Sequence, residues 1–373
     1  MSEVPRAAAA GEDSPAKRAG TAGDPAAASV GAAGCDPAAT RMLRGGRAAV
    51  SQLGVGCAPF GALDAATSDA SARAAFEHLY ANGLRYFDVA PFYGTGLAEH
   101  RLGACLRGID RRTVTLSTKV GRLLDPETGG TAAGAGGGTY PFTVRYDYSY
   151  DGTMRSLEHS MQRLGTNALD IVLIHDVNRR WQGDLLEQRY AEAMQGAYRT
   201  LDELRAAGAI KAFGVGVNDW SILERFAGDG DFDCFMLAGR YTLLDHTALD
   251  TFLPLCERRQ IGVLMAAPFN SGILATGARP GATYFYTEAE PAIMERVRRI
   301  ETVCARHGVA IAAAALQFPL GHPAIASVVT GMRDRAEAAA NLAHVRAAIP
   351  VAFWAELKHE GLIASAAPLP VRA

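Results

Sequence analysis

The chain of 373 residues carries 37 Lys and Arg against 39 Asp and Glu, which leaves a formal net charge of -2. No block of basic residues forms a phosphate-binding stripe, so we expect no nucleic-acid partner. The longest apolar run, residues 309–318, falls short of the roughly 18 residues that cross a bilayer, so we expect no membrane partner.

Residues 1–40 form an extension dominated by Ala, Gly, Pro, Asp and Ser. Such a segment cannot bury enough apolar surface to offset its ordering entropy, so we predict that it is disordered. It lacks the hydrophobic region of a secretory signal, and the six cysteines include no C-x-x-C pair, which is typical of reduced thiols. We therefore expect a cytoplasmic protein, with one folded domain over residues 41–365.

From residue 41 onward, short β-like runs alternate with longer amphipathic segments. The eight predicted strands are residues 49–57, 85–90, 114–120, 170–176, 210–217, 234–240, 262–268 and 325–331. Helical periodicity is clearest in residues 71–83, 152–165 and 190–208. Eight strand–helix units favour an α/β fold of the closed (β/α)8 type, the TIM barrel, although an open doubly wound sheet shows the same alternation. No G-x-G-x-x-G follows the first strand, which weakens the second alternative.

Two longer insertions, residues 121–150 and 270–290, follow strand ends and are rich in glycine or turn residues. In a barrel these positions lie on the C-terminal rim, where active sites are built. The insertions are therefore either covers for a ligand or ordinary solvated loops, and both interpretations stay open.

Polar side chains occur at the ends of three consecutive predicted strands. Asp88 and Tyr93 follow the second strand, and Lys119 lies near the end of the third. His175 lies near the end of the fourth. Because consecutive barrel strands are neighbours and their C-terminal ends converge on one rim, these four side chains can meet.

Together the four residues would form a proton-transfer device. A tyrosine hydroxyl is a poor base at neutral pH, but a nearby ammonium favours the phenolate, so we expect Lys119 to lower the pKa of Tyr93. Asp88 would hold the lysine by a charge-assisted hydrogen bond, and His175 would orient a substrate oxygen. The device would still need a hydride carrier.

The sequence resembles the aldo-keto reductases from about residue 41 to about residue 350. The stretches that carry the resemblance are RYFDVAPFYGTGLAEHRLG at 85–103, STKVG at 117–121 and DIVLIHD at 170–176. The resemblance implies a (β/α)8 barrel, the four residues above as a catalytic tetrad, and a nicotinamide dinucleotide bound without a Rossmann motif. That would explain the missing glycine fingerprint.

Further stretches, among them YDYSYDG, HDVNR and AAPFNSGIL, resemble the family's sugar-oxidising branch, which contains D-threo-aldose 1-dehydrogenases, L-galactose dehydrogenase and pyridoxal 4-dehydrogenase. The branch implies NAD(P)-dependent oxidation of an aldose at C1 to a lactone, with Tyr93 as the acid/base. Alternatives are oxidation of pyridoxal, general carbonyl reduction, and a non-catalytic nicotinamide-sensing subunit. A metal-dependent hydrolase ranks last, because no further ligand accompanies His175 and Asp176 at the strand ends.

The resemblance also implies a set of cofactor contacts. They are Asn218, Tyr241, Phe269, Gly331, Arg333, Glu337 and Asn341. Where the family has a glutamine and commonly an aromatic residue near the nicotinamide, this chain has Ala238 and Ala266. We therefore expect Phe269, Met265 or Tyr241 to fill that space.

The cofactor is expected to be NAD, with NADP possible. Glu337 would repel a 2'-phosphate and accept a bond from a free 2'-hydroxyl, whereas Arg333 favours NADP. For the substrate, a sugar or a pyridoxal-like aldehyde, the predicted pocket walls are Phe60, Phe92 and Trp181, because aromatic faces suit the C–H side of a sugar and a pyridine ring alike. The sequence leaves the oligomeric state undetermined.

Overall fold

The computed structural model describes residues 34–61, 67–126 and 140–370. The strands are β1 (Thr40–Met42), β2 (Ala49–Ser51), β3 (Leu53–Gly56), β4 (Tyr86–Asp88), β5 (Thr115–Val120), β6 (Arg122–Pro126), β7 (Phe142–Tyr146), β8 (Ile171–His175), β9 (Ala212–Val217), β10 (Cys234–Ala238), β11 (Gly262–Ala266), β12 (Thr283–Tyr284), β13 (Thr287–Glu288) and β14 (Ile325–Gly331). The helices are α1 (Asp69–Ala81), α2 (Leu97–Leu106), α3 (Tyr150–Leu164), α4 (Arg179–Gln182), α5 (Leu186–Glu192), α6 (Arg199–Ala206), α7 (Trp220–Asp229), α8 (Phe252–Arg259), α9 (Ile273–Thr276), α10 (Pro291–His307), α11 (Ile311–Gln317), α12 (Arg335–Arg346) and α13 (Val351–His359).

Eight strands form a closed parallel barrel in the order β3-β4-β5-β8-β9-β10-β11-β14, with β14 returning to β3. Nearly every residue of these strands is buried, because side chains on one face fill the barrel and those on the other pack against the helices. The predicted (β/α)8 barrel is therefore confirmed.

The three predicted helical segments coincide with α1, with α3 and with the run from α5 to α6, where a π-helical turn at Ala193–Tyr198 joins the two helices. Each buries an apolar side against the strands. Among the described residues, no single helix combines the length and apolarity needed to cross a membrane, and only the pair α10 and Ile311–Gly321, bent by 101°, passes that test when joined.

The first predicted strand, residues 49–57, is wrong as one element, because the chain divides it at Gln52. Residues 49–51 form β2, which pairs antiparallel with β1, and only residues 53–56 enter the barrel as β3. The hairpin turns inward because Leu43 and Val50 are buried with the barrel-lining side chains of Tyr86 and Ile171. It thereby closes the N-terminal end of the barrel.

The predicted boundary of the disordered extension at residue 40 is too late. Residues 1–33 lie outside the described residues, but residues 34–40 are tied down by backbone hydrogen bonds. The Cys35 amide donates to the Val345 carbonyl over 3.0 Å, and the Gln52 amide donates to the Ala39 carbonyl over 2.8 Å. These bonds join the start of the described chain to the barrel body.

Both predicted insertions extend the C-terminal rim of the barrel. The first contains the antiparallel hairpin β6–β7, whose connecting residues 127–139 lie outside the described residues. The second contains α9 and the short hairpin β12–β13. Tyr286, at the tip of the second hairpin, lines the main cavity, which favours the interpretation of this segment as a ligand cover.

A tight contact at Gly121 fixes the spacing between β5 and β8. Gly121 has φ 98°, and a Cβ atom there would lie 2.1 Å from Cε1 of Tyr148. The Tyr148 hydroxyl donates to the His175 carbonyl over 2.7 Å. The glycine therefore lets one tyrosine bridge the strands that carry Lys119 and His175.

We expect Gly121→Ala to destabilise the fold well beyond the cost of its backbone conformation, because the added methyl collides with the Tyr148 ring. The matched control is Gly208→Ala, which has φ 73° and no heavy atom within 4 Å of the added Cβ. The free energy of unfolding of the control should fall by about 1–2 kcal/mol. That of Gly121→Ala should fall by about 1–3 kcal/mol more because of overpacking. Urea unfolding of both variants measures the difference, and equal losses would contradict the bridging role of Tyr148.

Candidate active site

A cavity of about 470 Å³ opens at the C-terminal rim of the barrel. Asp88, Tyr93, Lys119 and His175 all line it, so the structure brings together the four residues singled out in the sequence. Asp88, Lys119 and His175 come from the ends of β4, β5 and β8, and Tyr93 from the loop after β4. The strand order makes these elements neighbours, as consecutive units of a barrel must be.

The deepest contact is the ion pair between Lys119 and Asp88, whose side chains are only 2% and 3% exposed. Lys119 Nζ donates to Asp88 Oδ2 over 2.7 Å and to the Val89 carbonyl over 3.0 Å. The other carboxylate oxygen, Oδ1, accepts a bond of 2.6 Å from Ser117. Although burial opposes the ammonium charge, Asp88 and Tyr93 together raise the pKa of Lys119 above its ordinary value.

Tyr93 lies over this pair, with Lys119 Nζ 4.8 Å from the centre of its ring. Burial raises the pKa of Tyr93 to about 12, and Lys119 opposes that rise. Lys119 therefore acts in the expected direction, but desolvation of the phenolate outweighs it and leaves the pKa of Tyr93 above its ordinary value. The hydroxyl is protonated at neutral pH.

The glycine-punctuated loop around Tyr93 is shaped by a close backbone approach. Gly94 has φ 62°, and a Cβ atom there would lie 2.4 Å from the carbonyl oxygen of Gly61. The loop then enters α2 through Gly96, which has φ 97°. Glycine at these positions lets the loop press against the turn after β3 and hold Tyr93 at the cavity.

His175 faces Tyr93 edge-on, with ring centres 6.2 Å apart. Its Nε2 atom lies 3.3 Å from Asp176 Oδ2, and its buried Nδ1 atom has no hydrogen-bond partner among the described residues. Burial, together with the nearby Arg122 and Lys119, holds the pKa of His175 well below its ordinary value. The imidazole is therefore neutral at physiological pH and donates from one nitrogen only.

Arg122 is a buried charge that the sequence reasoning missed. Its guanidinium lies 4.0 Å from the ring centre of Phe92 and 4.6 Å from that of Trp181, and the residue is 1% exposed. It donates to Asp176 Oδ2 over 2.6 Å, while Nε and Nη1 have no partner among the described residues. The available signal was an arginine one residue past the glycine of STKVG, in an otherwise apolar stretch.

Two of the three predicted pocket walls reach the cavity. Phe92 and Trp181 line it and contact each other edge-on, with ring centres 5.6 Å apart. Phe60 does not line it, because its side chain is completely buried in the core between the strands and the helices. Asp176 and Arg180 complete the polar part of this wall.

Only some of the predicted nicotinamide contacts line the cavity. Asn218 and Gly331 line the cavity, as do the alanines 238 and 266 that replace the family's glutamine and aromatic residue. Tyr241 is instead buried against Phe318, with ring centres 5.2 Å apart. Phe269 packs against the apolar core and is not among the lining residues. Neither aromatic fills the space beside the alanines.

The remaining predicted cofactor residues lie at the start of α12. The Glu337 carboxylate accepts bonds from the Arg333 amide over 2.8 Å and from Arg333 Nε over 2.7 Å. Asp334 caps the helix by accepting from the Glu337 amide over 2.9 Å. Asn341 follows one turn later, mostly buried. None of these residues is among those that line the cavity, and the charge of Arg333 is paired with the first turn of α12.

The residues that line the cavity fit the nicotinamide end of a dinucleotide. Gly56, Ala266 and Gly331 leave an open wall at the ends of β3, β11 and β14, where a planar ring can approach the backbone. Asn218 Oδ1 accepts a bond from Asn178 over 2.9 Å, while its Nδ2 donates to no described residue and can serve a carboxamide oxygen. The described residues contain no group of three or more metal-binding side chains.

A model of the aldo/keto reductase family matches residues 52–359. A pyridoxal 4-dehydrogenase from Microbacterium luteolum is 42% identical over 325 residues, which cover 84% of this chain and 95% of that protein. A D-threo-aldose 1-dehydrogenase from a Pseudomonas species is 36% identical over 321 residues, with the same coverage of 84% and 95%. L-galactose dehydrogenase from Arabidopsis thaliana is 26% identical over 302 residues, covering 79% and 84%.

Solved structures show the same architecture. An aldo-keto reductase from Bacillus halodurans in its holo form superposes with a TM-score of 0.68 at 22% identity, covering 88% of this chain and 97% of that one. A glycerol dehydrogenase from Gluconobacter oxydans superposes with a TM-score of 0.67 at 17% identity, covering 86% and 94%. At these identities the likeness concerns the fold.

Proposed function

This chain belongs to the aldo/keto reductase family, and from that premise we propose that it is an NAD-dependent dehydrogenase that oxidises an aldose at C1 to a lactone. The observation that carries the proposal is the buried Lys119–Asp88 pair beneath Tyr93 at the cavity floor. The relatives named as aldose and galactose dehydrogenases support the reaction class.

In this proposal Tyr93 removes the proton from the anomeric hydroxyl as a hydride leaves C1, so that a carbonyl forms there. Tyr93 is protonated in the resting protein, so it acts as a base only after it has lost its own proton, and the ammonium of Lys119 stabilises the phenolate that then accepts the substrate proton. The neutral His175 donates a hydrogen bond to the same substrate oxygen and orients it. A nicotinamide dinucleotide would be held by Asn218 and Gly331 at one end and by the start of α12 at the other, and it would supply the hydride acceptor.

Pyridoxal is the second candidate substrate. The relative at 42% identity is named for it, and the faces of Phe92 and Trp181 suit a pyridine ring as well as a sugar. Pyridoxal also closes into an internal cyclic hemiacetal, so one proton abstraction and one hydride loss would serve both substrates. Reduction of another carbonyl compound and a nicotinamide-sensing role without catalysis rank below these two.

The proposal is tested by following reduced-nicotinamide absorbance with the purified protein, NAD or NADP, and a panel of L-fucose, D-arabinose, L-galactose and pyridoxal. We expect turnover with a sugar, and a loss of at least roughly 100-fold in Tyr93→Phe, because general acid–base catalysis contributes about that much or more. The control is Tyr241→Phe, which removes a buried hydroxyl outside the cavity. Turnover of pyridoxal alone would select the second candidate, and full activity of Tyr93→Phe would contradict the mechanism.

The pairing of Glu337 with Arg333 supports NAD over NADP. The Glu337 carboxylate accepts a hydrogen bond from the guanidinium of Arg333, which would otherwise be available to a 2'-phosphate. The negative charge of Glu337 also repels that phosphate. We expect the wild type to favour NAD and Glu337→Gln to shift the ratio of kcat/KM values toward NADP by roughly 3- to 10-fold, a modest effect because the pair is partly exposed.

The control for this shift is Glu295→Gln, which removes a carboxylate from another arginine pair on the exposed side of α10. Steady-state kinetics with both cofactors at one sugar concentration measures the ratio. A wild type that prefers NADP, or an equal shift in both variants, would refute the role given to Glu337.

A further inference from the structure

Asp176 takes a backbone conformation that few residues other than glycine adopt. It follows β8 with φ 56°. Its amide donates to the Gly216 carbonyl over 3.0 Å, and its own carbonyl accepts from Gln182 Nε2 over 2.9 Å. Such conformations persist only where neighbouring bonds enforce them, and they concentrate at functional sites. Here they hold a carboxylate in the cavity wall.

The two oxygens of this carboxylate have different surroundings. Oδ2 accepts from Arg122 Nη2 over 2.6 Å and lies 3.3 Å from Nε2 of His175. Oδ1 accepts no hydrogen bond from the described residues, although the side chain is only 12% exposed and lines the cavity. One oxygen is therefore anchored, and the other faces the space that a substrate would occupy.

The rings around the carboxylate keep its anchor in place. Arg122 is held between Phe92 and Trp181, and both rings also line the cavity. A ligand that packs its C–H face on these rings would bring its hydroxyl groups to their edge, beside Asp176. Carboxylate acceptors next to aromatic faces are the combination that polyhydroxylated rings need, because one part binds the apolar face and the other the hydroxyls.

The position of His175 selects which hydroxyl reaches Oδ1. In the proposed function, His175 and Tyr93 hold the reacting oxygen, and His175 Nε2 lies 3.3 Å from the carboxylate. The hydroxyl nearest to the reacting oxygen is the one on the adjacent carbon, which in an aldose is the 2-hydroxyl. Resting on the proposed function, we infer that Asp176 determines specificity by accepting a hydrogen bond from the hydroxyl next to the reacting carbon.

The charge of Asp176 agrees with an acceptor role above neutral pH. Burial raises its pKa to about 6, while Arg122, Lys119 and Arg180 oppose the rise. Besides these three cations, the titratable groups that face it are His175, Tyr93, Tyr146 and Tyr148. The carboxylate is ionised at pH 8 and gains a proton as the pH falls through about 6. Preference for the hydroxylated substrate should therefore be strong at pH 8 and weaken toward pH 5.

The test compares D-arabinose with 2-deoxy-D-ribose, which is the same pentose without its 2-hydroxyl, using NAD at pH 8. In the wild type we expect kcat/KM to favour D-arabinose on the order of 10- to 100-fold, the range for a hydrogen bond to a charged group. In Asp176→Asn the preference should shrink by about fivefold or more, because only a neutral bond remains. Asp170→Asn is the matched control, since Asp170 is a buried, arginine-paired carboxylate just before the same strand.

The outcomes separate this inference from the function on which it rests. Equal use of both pentoses by the wild type, or an unchanged preference in Asp176→Asn, would overturn the role of Asp176 and leave the dehydrogenase intact. A wild type inactive toward every sugar would overturn both. If Asp176→Asn melts below the assay temperature, the test relies on the wild type. Its preference for D-arabinose over 2-deoxy-D-ribose, and the loss of that preference toward pH 5, can be measured without a variant.

Discussion

The ion pair between Lys119 and Asp88 is the contact on which the rest of the site depends. Two opposite charges at 2.7 Å, both almost fully buried, contribute little net stability, because their desolvation offsets their attraction. Their importance for the site is the electrostatic field that they create at Tyr93. Burial alone would make its hydroxyl a very weak acid, and the ammonium 4.8 Å from the ring centre is the main force in the other direction. The site therefore balances desolvation against one positive charge.

The strand order of the barrel brings these charged groups together. Neighbouring strands deliver Asp88, Lys119 and His175 to one rim, and the bridge from Tyr148 to the His175 carbonyl ties the strands together beneath the cavity. A second buried pair, Arg122 with Asp176, lies beside His175, and burial together with Arg122 and Lys119 lowers the pKa of the imidazole. The two pairs give the site two kinds of proton chemistry: a tyrosine assisted by a cation and a histidine kept neutral. Both suit the handling of a single hydroxyl group.

The strands, the helices and the meeting of the four polar residues could be predicted because periodicity is local and barrel topology is regular. The division of residues 49–57 into two strands could not be predicted, since an apolar run suits a hairpin and a barrel strand equally well. The orientation of Tyr241 and Phe60 also escaped prediction, because it depends on which face of a strand end turns toward the cavity. The guanidinium of Arg122 is covered by Phe92, Tyr146 and Trp181. These rings come from three separate segments, so no local sequence pattern predicts that the arginine is buried.

The most direct test of this account is the pH dependence of kcat/KM for sugar oxidation in Lys119→Met beside Lys211→Met. Lys211 also pairs with an aspartate, Asp170, but at the opposite end of the barrel. Loss of the ammonium raises the pKa of Tyr93 further, so the account predicts that the alkaline rise in rate moves by at least about one pH unit in Lys119→Met, which at a fixed pH is a loss of tenfold or more. Lys211→Met should follow the wild type. Superimposable profiles for Lys119→Met and the wild type would contradict the claim that the buried lysine activates Tyr93.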